Sequence, residues 1–145
     1  MPALTFEQTV HTFQVDFAGV LSNIIYIQWM EIGRTKLLEA AEMPVEALFD
    51  EGIVPVLVHT EIDYKRPYRL GDTASIVFWV SALRNASAQL DFRFYGPGGT
   101  LHASGRQAGL FVTLANMRPH RLGEAERARL APYVLDEDPP APGPN

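Results

Sequence analysis

The sequence predicts an α+β domain in which one long helix packs against a curved antiparallel sheet. Only one long segment, near the N-terminus, has apolar residues at helical spacing. Most of the chain after it alternates apolar and polar residues in short runs, which Gly, Pro and Asn interrupt. A lone amphipathic helix must bury its apolar face, and an antiparallel sheet offers an apolar face to cover. The length of 145 residues suits a single domain.

The first third of the chain predicts one strand and two helices. Residues 7–15 alternate loosely, which is typical of a strand. Ser22 or Asn23 can cap the long helix, whose apolar repeat continues to about Ala41. A short second helix is expected over residues 44–49.

The remainder is rich in strands. Its β-branched and aromatic runs predict strands over residues 53–65, 73–83, 86–95 and 100–114. One face of the first of these strands is expected to carry Val56, Val58, Thr60, Ile62 and Tyr64. A short helix is expected over residues 123–130.

Composition limits the kinds of site and partner. The chain has no cysteine, which excludes disulfides and a Cys nucleophile, and a net charge of −5, which argues against nucleic acid. No apolar run approaches the roughly 20 residues of a membrane helix, and no signal region is recognisable at the N-terminus. No His, Asp and Glu spacing fits a metal site, so neither metal nor cofactor is expected. We therefore predict a soluble, cytoplasmic protein.

The domain is expected to cover residues 1–135. The segment from residue 136 to residue 145 is acidic and rich in Pro, and we expect it to be a disordered tail.

Asp16 is the carboxylate most suited to chemistry. It follows the first predicted strand and precedes a glycine-containing loop that leads into the long helix. The start of a helix presents free N–H groups, which can polarise a carbonyl oxygen. A carboxylate just upstream can attack that carbonyl or activate a water. Asp also commonly caps turns, so the pattern alone leaves a structural and a catalytic interpretation open.

The residues around Asp16 resemble the 4-hydroxybenzoyl-CoA thioesterase-like hotdog family. The first motif consists of Asp16, Gly19, Val20, Tyr26, Trp29, Met30, Glu31 and Arg34 at fixed offsets. A second, weaker motif consists of Ile62-Asp63-Tyr64, Pro67 and Leu70-Gly71-Asp72. The similarity spans roughly residues 6–130.

This resemblance implies a hotdog fold, hydrolysis of an acyl-CoA thioester, and a homodimer or homotetramer with active sites between protomers. It makes Asp16 the nucleophile or general base, and the backbone N–H of Asn23 the oxyanion donor. It also implies that Gly19, Val20 and Tyr26 contact substrate.

Four further residues are candidates for substrate binding. His59 and Glu61 can reach the site from a partner protomer, although alternating polar residues are also the ordinary solvent face of a strand. Lys65 and Arg66, near Arg69, can contact CoA phosphates, although they also suit a solvated loop.

Two features of the long helix concern the residues at its start and a charged pair on its surface. Many bacterial relatives carry Tyr-His where this chain has Ser22-Asn23. Asn cannot shuttle protons as His does, so a non-catalytic acyl-CoA-binding module is the alternative function. Glu31 and Arg34 are three residues apart and are expected to form a surface ion pair.

Overall fold

The computed structural model describes residues 3–142 and shows three helices and five strands within them. The helices are α1 (Asn23–Ala40), α2 (Val45–Asp50) and α3 (Glu124–Leu130). The strands are β1 (Leu4–Thr9), β2 (Ile53–Tyr64), β3 (Thr73–Leu83), β4 (Ser87–Tyr95) and β5 (Leu101–Thr113). The predicted α+β class is confirmed, and α1 has 18 residues.

The five strands form one antiparallel sheet in the order β1-β3-β4-β5-β2. β2 is therefore an edge strand, which agrees with Pro55 near its start, since Pro is tolerated at edges. At the other edge, β1 pairs with β3 only as far as Phe78. The chain after α3 continues that edge, where the Leu135 N–H donates to the Val80 carbonyl at 3.0 Å.

The predicted strand over residues 7–15 is wrong in its second half. β1 ends at Thr9, and Thr12–Gln14 form a 3₁₀ turn. The side-chain oxygen of Gln14 accepts the His11 N–H at 2.9 Å, and the Gln14 N–H donates to the His11 carbonyl. These local bonds satisfy the backbone without a sheet partner and turn the chain towards α1.

The predicted faces of β2 are also partly wrong. The pairing of β2 with β5 shifts register between Leu57 and His59, so Val58 is an extra residue in a β-bulge. A bulge reverses the alternation of side chains. The hydroxyl of Thr60 accepts a hydrogen bond from the Gln107 amide at 3.1 Å. Across the bulge, the register places Leu57, rather than the predicted Val56, on the same face as Thr60.

Helix α1 packs on one face of the sheet. Its buried side chains share a core with residues of β3, β4 and β5. The approach is close at Gly33, where an added Cβ would lie 2.9 Å from Cε2 of the buried Phe92 ring. It is also close at Gly105, where an added Cβ would lie 2.7 Å from Cε of Met30. How far the sheet curves around the helix stays a prediction.

The segment from residue 136 onward is described as far as residue 142. Asp138 pairs with Arg93 across 2.8 Å, on the sheet face opposite α1. Residues 143–145 of the predicted disordered tail lie outside the described residues, and both the domain boundary and the disorder stay predictions. No helix within residues 3–142 is long and apolar enough to cross a membrane.

The close approach at Gly33 gives a stability prediction. We expect Gly33→Ala to lower the free energy of unfolding by about 1–2 kcal/mol. Overpacking a core costs about 1–3 kcal/mol, which exceeds the gain in helix propensity of at most about 1 kcal/mol. Urea denaturation measures this. Gln28→Ala, at an exposed position of the same helix, should change stability by less than about 0.5 kcal/mol, and equal stability of the two variants would contradict the packing.

Candidate functional site

Asp16 lies in a tight, hydrogen-bonded turn before α1. Its Oδ1 accepts the Ala18 N–H at 2.8 Å and the Val20 N–H at 3.4 Å. Its backbone N–H donates to the Val20 carbonyl, and its carbonyl accepts the Gly19 N–H. Gly19 has φ of +78°, a conformation that favours glycine. The turn-capping interpretation is therefore correct as geometry.

That turn still leaves the carboxylate available. Asp16 is exposed, and no donor within residues 3–142 bonds its Oδ2. One oxygen thus fixes the side chain while the other faces outward. The same residue can cap the turn and present a fixed carboxylate oxygen.

The start of α1 presents unused backbone donors. The Ser22 N–H donates to the Gln14 carbonyl at 2.9 Å, and the Ile25 N–H to the Ser22 carbonyl at 3.0 Å. The Ser22 side chain makes no capping hydrogen bond. Across the described part of the chain, the N–H groups of Asn23 and Ile24 donate to no protein acceptor. A carbonyl oxygen placed there would meet two free donors and the positive end of the helix.

Tyr68 holds this region in place. Its backbone carbonyl accepts the Leu21 N–H at 2.9 Å, next to the start of α1. Its fully buried ring stacks on His102, and its hydroxyl donates to the Tyr95 carbonyl at 2.9 Å. Sequence reasoning missed Tyr68. The available signal was an aromatic residue inside an otherwise charged turn.

Lys65, Arg66 and Arg69 form a basic segment, which meets the Asp16 turn at Arg69. Val20 forms a backbone bridge with Arg69, so the two loops are adjacent. Lys65 and Arg66 are exposed, and both of their N–H groups donate to the His102 carbonyl. The structure therefore brings these cations to the same end of the domain as Asp16.

Tyr26 lies behind the first turn of α1 rather than on the surface. It is 2% exposed, and its ring lies 5.0 Å from Tyr64, 5.4 Å from Phe94 and 6.0 Å from Tyr68. Burial raises the pKa of Tyr26 to about 12, partly offset by a hydrogen bond with the Tyr68 backbone. The phenol is therefore neutral at physiological pH.

His59 and Glu61 lie on the other face of β2. Their side chains are more than half exposed, and Nε2 of His59 is 3.8 Å from Oε1 of Glu61. Thr60 between them faces α1. Within one protomer the structure does not bring these two residues to the Asp16 turn.

His102 is a second residue that sequence reasoning missed. It is 8% exposed, its ring lies 4.2 Å from that of Tyr68, and its Nδ1 makes no hydrogen bond. Burial lowers its pKa, partly offset by Asp72. The ring also lies close to Gly96, where an added Cβ would clash with it. Among the described residues, no group of three His, Asp or Glu side chains could hold a metal ion.

The structure thus combines an α+β fold with a fixed carboxylate before a helix start whose first two N–H groups have no acceptor within residues 3–142. The model of the Thioesterase-like superfamily matches residues 10–137. The chain belongs to this superfamily, and the resemblance to hotdog thioesterases is confirmed.

Known relatives agree with this family. The curated Bacillus subtilis protein named "Putative acyl-CoA thioesterase YneP" is 24% identical over 119 residues, which cover 82% of this chain and 86% of the relative. The 1,4-dihydroxy-2-naphthoyl-CoA thioesterase Slr0204 from Synechocystis has a TM-score of 0.81 at 18% identity, covering 89% of this chain and 96% of that one. The Staphylococcus aureus protein SAV2348, solved in complex with CoA, has a TM-score of 0.85 at 14% identity, covering 96% and 88%. These structural likenesses show a common fold.

The anchoring role of Tyr68 can be tested by removing one oxygen. We expect Tyr68→Phe to lower the free energy of unfolding by about 0.5–1.5 kcal/mol, because a buried hydrogen bond to the Tyr95 carbonyl is lost. Chemical denaturation measures the change. Tyr64→Phe is the matched control, since that hydroxyl is on a half-exposed residue and bonds no other group in residues 3–142. A cost for Tyr68→Phe no larger than that of the control would show that this hydroxyl is not an anchor.

Proposed function

We propose that the protein hydrolyses acyl-CoA thioesters at the site between Asp16 and the start of α1. The observation that carries this proposal is the pair of free N–H groups at Asn23 and Ile24 close in sequence to a carboxylate with an unbonded oxygen. Membership of the Thioesterase-like superfamily supports it. So do the names of YneP and Slr0204, and the CoA complex of SAV2348.

In this proposal the thioester carbonyl oxygen accepts the Asn23 N–H, with Ile24 as a second donor. As nucleophile, Asp16 attacks the carbonyl carbon, the oxyanion collapses with loss of the CoA thiolate, and water then hydrolyses the resulting anhydride. As general base, Asp16 takes a proton from the attacking water, and the thiolate leaves and is protonated. Both routes convert one water and one thioester into an acid and a thiol. In both, the backbone donors stabilise the oxyanion.

The cations and the turn would bind the rest of CoA. Lys65 and Arg66 are exposed, four and three residues before Arg69, whose backbone pairs with Val20 of the turn, and they suit phosphate oxygens. Gly19 and Val20 would contact the thioester arm, where the lack of a side chain at Gly19 leaves room. Tyr26 would support the first turn of α1 from its buried side.

A homodimer or homotetramer with sites between protomers belongs to the same proposal. Four large apolar side chains are exposed in the turn region and first helical turns, namely Phe13, Phe17, Ile24 and Ile27. Exposed apolar clusters mark association or ligand surfaces. A partner docked there would bring its own edge strand β2 near the site, with His59 and Glu61 as its contributions.

Asp16→Asn tests the carboxylate. The amide oxygen retains the bond to the Ala18 N–H, so the turn should fold normally, while nucleophile and base are both lost. We expect kcat/KM for thioester cleavage, followed as free thiol, to fall by a factor of about 10² or more. Undiminished turnover would contradict the role of Asp16. Tight acyl-CoA binding by the unaltered protein without turnover would instead establish a binding module.

Asn23→Pro tests the oxyanion donor. Proline lacks the N–H but fits the first position of a helix, and Ser22 already has the ψ of 141° that a residue before proline adopts. We expect kcat to fall by a factor of about 10²–10³. The control Asn23→Ala retains the N–H and should keep kcat within a few-fold of the parent. An equal loss in both variants would assign the role to the Asn23 side chain.

A further inference from the structure

His102 is the extra residue of a β-bulge near the start of β5. The register of β4 and β5 shifts between Phe94 and Tyr95, and His102 lies at that shift without a counterpart on β4. A bulge interrupts the ladder and re-aims a side chain, and bulges are common beside active sites. The His102 carbonyl accepts the Lys65 N–H at 2.8 Å and the Arg66 N–H at 3.0 Å. The bulge therefore holds the beginning of the basic segment.

The ring of His102 is held between Tyr68 and Gly96. Its face lies 4.2 Å from the Tyr68 ring, at an interplanar angle of 11°. At its edge, a Cβ added to Gly96 would clash with Nε2. Gly96 has an extended backbone with φ of −101°, so the space beside the ring, rather than the backbone conformation, requires a glycine. Displacing the ring would remove the support on that side of Tyr68.

Tyr68 connects this ring to the start of α1. Its carbonyl accepts the Leu21 N–H at 2.9 Å, two residues before the helix begins at Asn23. A movement of His102 would therefore reach the proposed site by two routes. Its ring acts on the entry loop of α1 through Tyr68, and its carbonyl acts on the basic segment.

The surroundings of the ring favour its neutral form. His102 is 8% exposed, and within residues 3–142 no group bonds its Nδ1, although both ring nitrogens carry a proton when the ring is charged. Asp72 favours the charged form and Arg66 opposes it. Tyr68 is neutral because burial raises its pKa, and Gly96 brings no charge. Burial outweighs Asp72 and the nearby backbone groups, and it lowers the pKa of His102. A proton at Nδ1 would be buried without an acceptor unless the ring moved.

We propose that His102 is a pH-sensitive positioning residue, whose neutral ring holds Tyr68 and the start of α1 in place and whose protonation releases them. A displaced, solvated ring binds a proton more tightly than the buried ring, so acid shifts the population towards the displaced form. The release develops as the pH falls below 6.5, the usual pKa of the side chain. Its effect on thioester cleavage rests on the proposed function, whereas the movement itself does not.

Hydrogen exchange of the Leu21 N–H tests the movement without any substrate. From about pH 7.5 to about pH 5, its protection factor in the unaltered protein should fall by a factor of about three or more. In His102→Gln, which cannot ionise, the protection factor should not depend on pH over this range. The control His120→Gln removes a His that pairs with Glu126 at 3.0 Å elsewhere, and it should respond to pH as the parent does. Equal pH responses of the parent and His102→Gln, or no response in the parent, would overturn the proposal.

The pH dependence of turnover tests the consequence for the site. With octanoyl-CoA as substrate, we expect the kcat/KM of His102→Gln, divided by that of the parent, to rise by a factor of about three or more over the same fall in pH. A purely structural loss in the variant would give a constant ratio and would overturn the control of the site by His102. No turnover by the parent would count against the proposed function, and the protection factors would still decide the role of His102.

Gly96→Ala tests the position of the ring at a fixed pH. The added Cβ should displace the ring from Tyr68, so the protection factor of the Leu21 N–H at about pH 7.5 should fall by a factor of about three or more. In a His102→Ala background there is no ring to displace, and Gly96→Ala should cause no further fall. An equal fall in both backgrounds would overturn the coupling through His102. Titration of the His102 ring by NMR in the unaltered protein decides the matter if these variants do not fold, since a pKa at or above the usual 6.5 would overturn the proposal.

Discussion

The position of α1 against the sheet is the constraint on which the other features depend. Two glycines allow the close approach, Gly33 on the helix against Phe92 and Gly105 on the sheet against Met30. Larger residues there would force the helix away from the sheet. Because the helix is rigid, fixing its middle also sets the axis along which its first turn lies.

The start of the helix needs a second constraint, which Tyr68 supplies. A helix held only in its middle can still fray at its ends, where backbone groups lack partners. The Leu21 N–H bond to the Tyr68 carbonyl ties the entry loop to the turn before β3, and the buried Tyr68 hydroxyl ties that turn to β4. The loop and the basic segment are thereby held together. The donors of Asn23 and Ile24 are consequently fixed although nothing in the described chain bonds them.

Local patterns predicted some of the features that short-range interactions decide, although not the turn made by His11 and Gln14. The extent of α1 follows from its apolar spacing, and the Asp16 turn follows from hydrogen bonds within five residues. Features set by distant pairing were not predictable in this way. The bulge at Val58 depends on register with β5, and the inward course of Arg34 depends on Gln107, 73 residues later. The proposed catalytic roles came from family resemblance, since a turn-capping Asp has the same local sequence signal whether or not it is catalytic.

Both polar features of α1 favour negative charge, but for different physical reasons. At its start, neutral N–H dipoles face an exposed loop, so they can stabilise a charge that develops during a reaction without binding a permanent anion tightly. At Arg34 a full charge is partly desolvated, so a permanent carboxylate is the better partner. A thioester carries no charge on its acyl group, whereas the acid it yields does. The free N–H groups at the start of α1 therefore suit an uncharged carbonyl, whereas the half-buried guanidinium of Arg34 suits an anionic group.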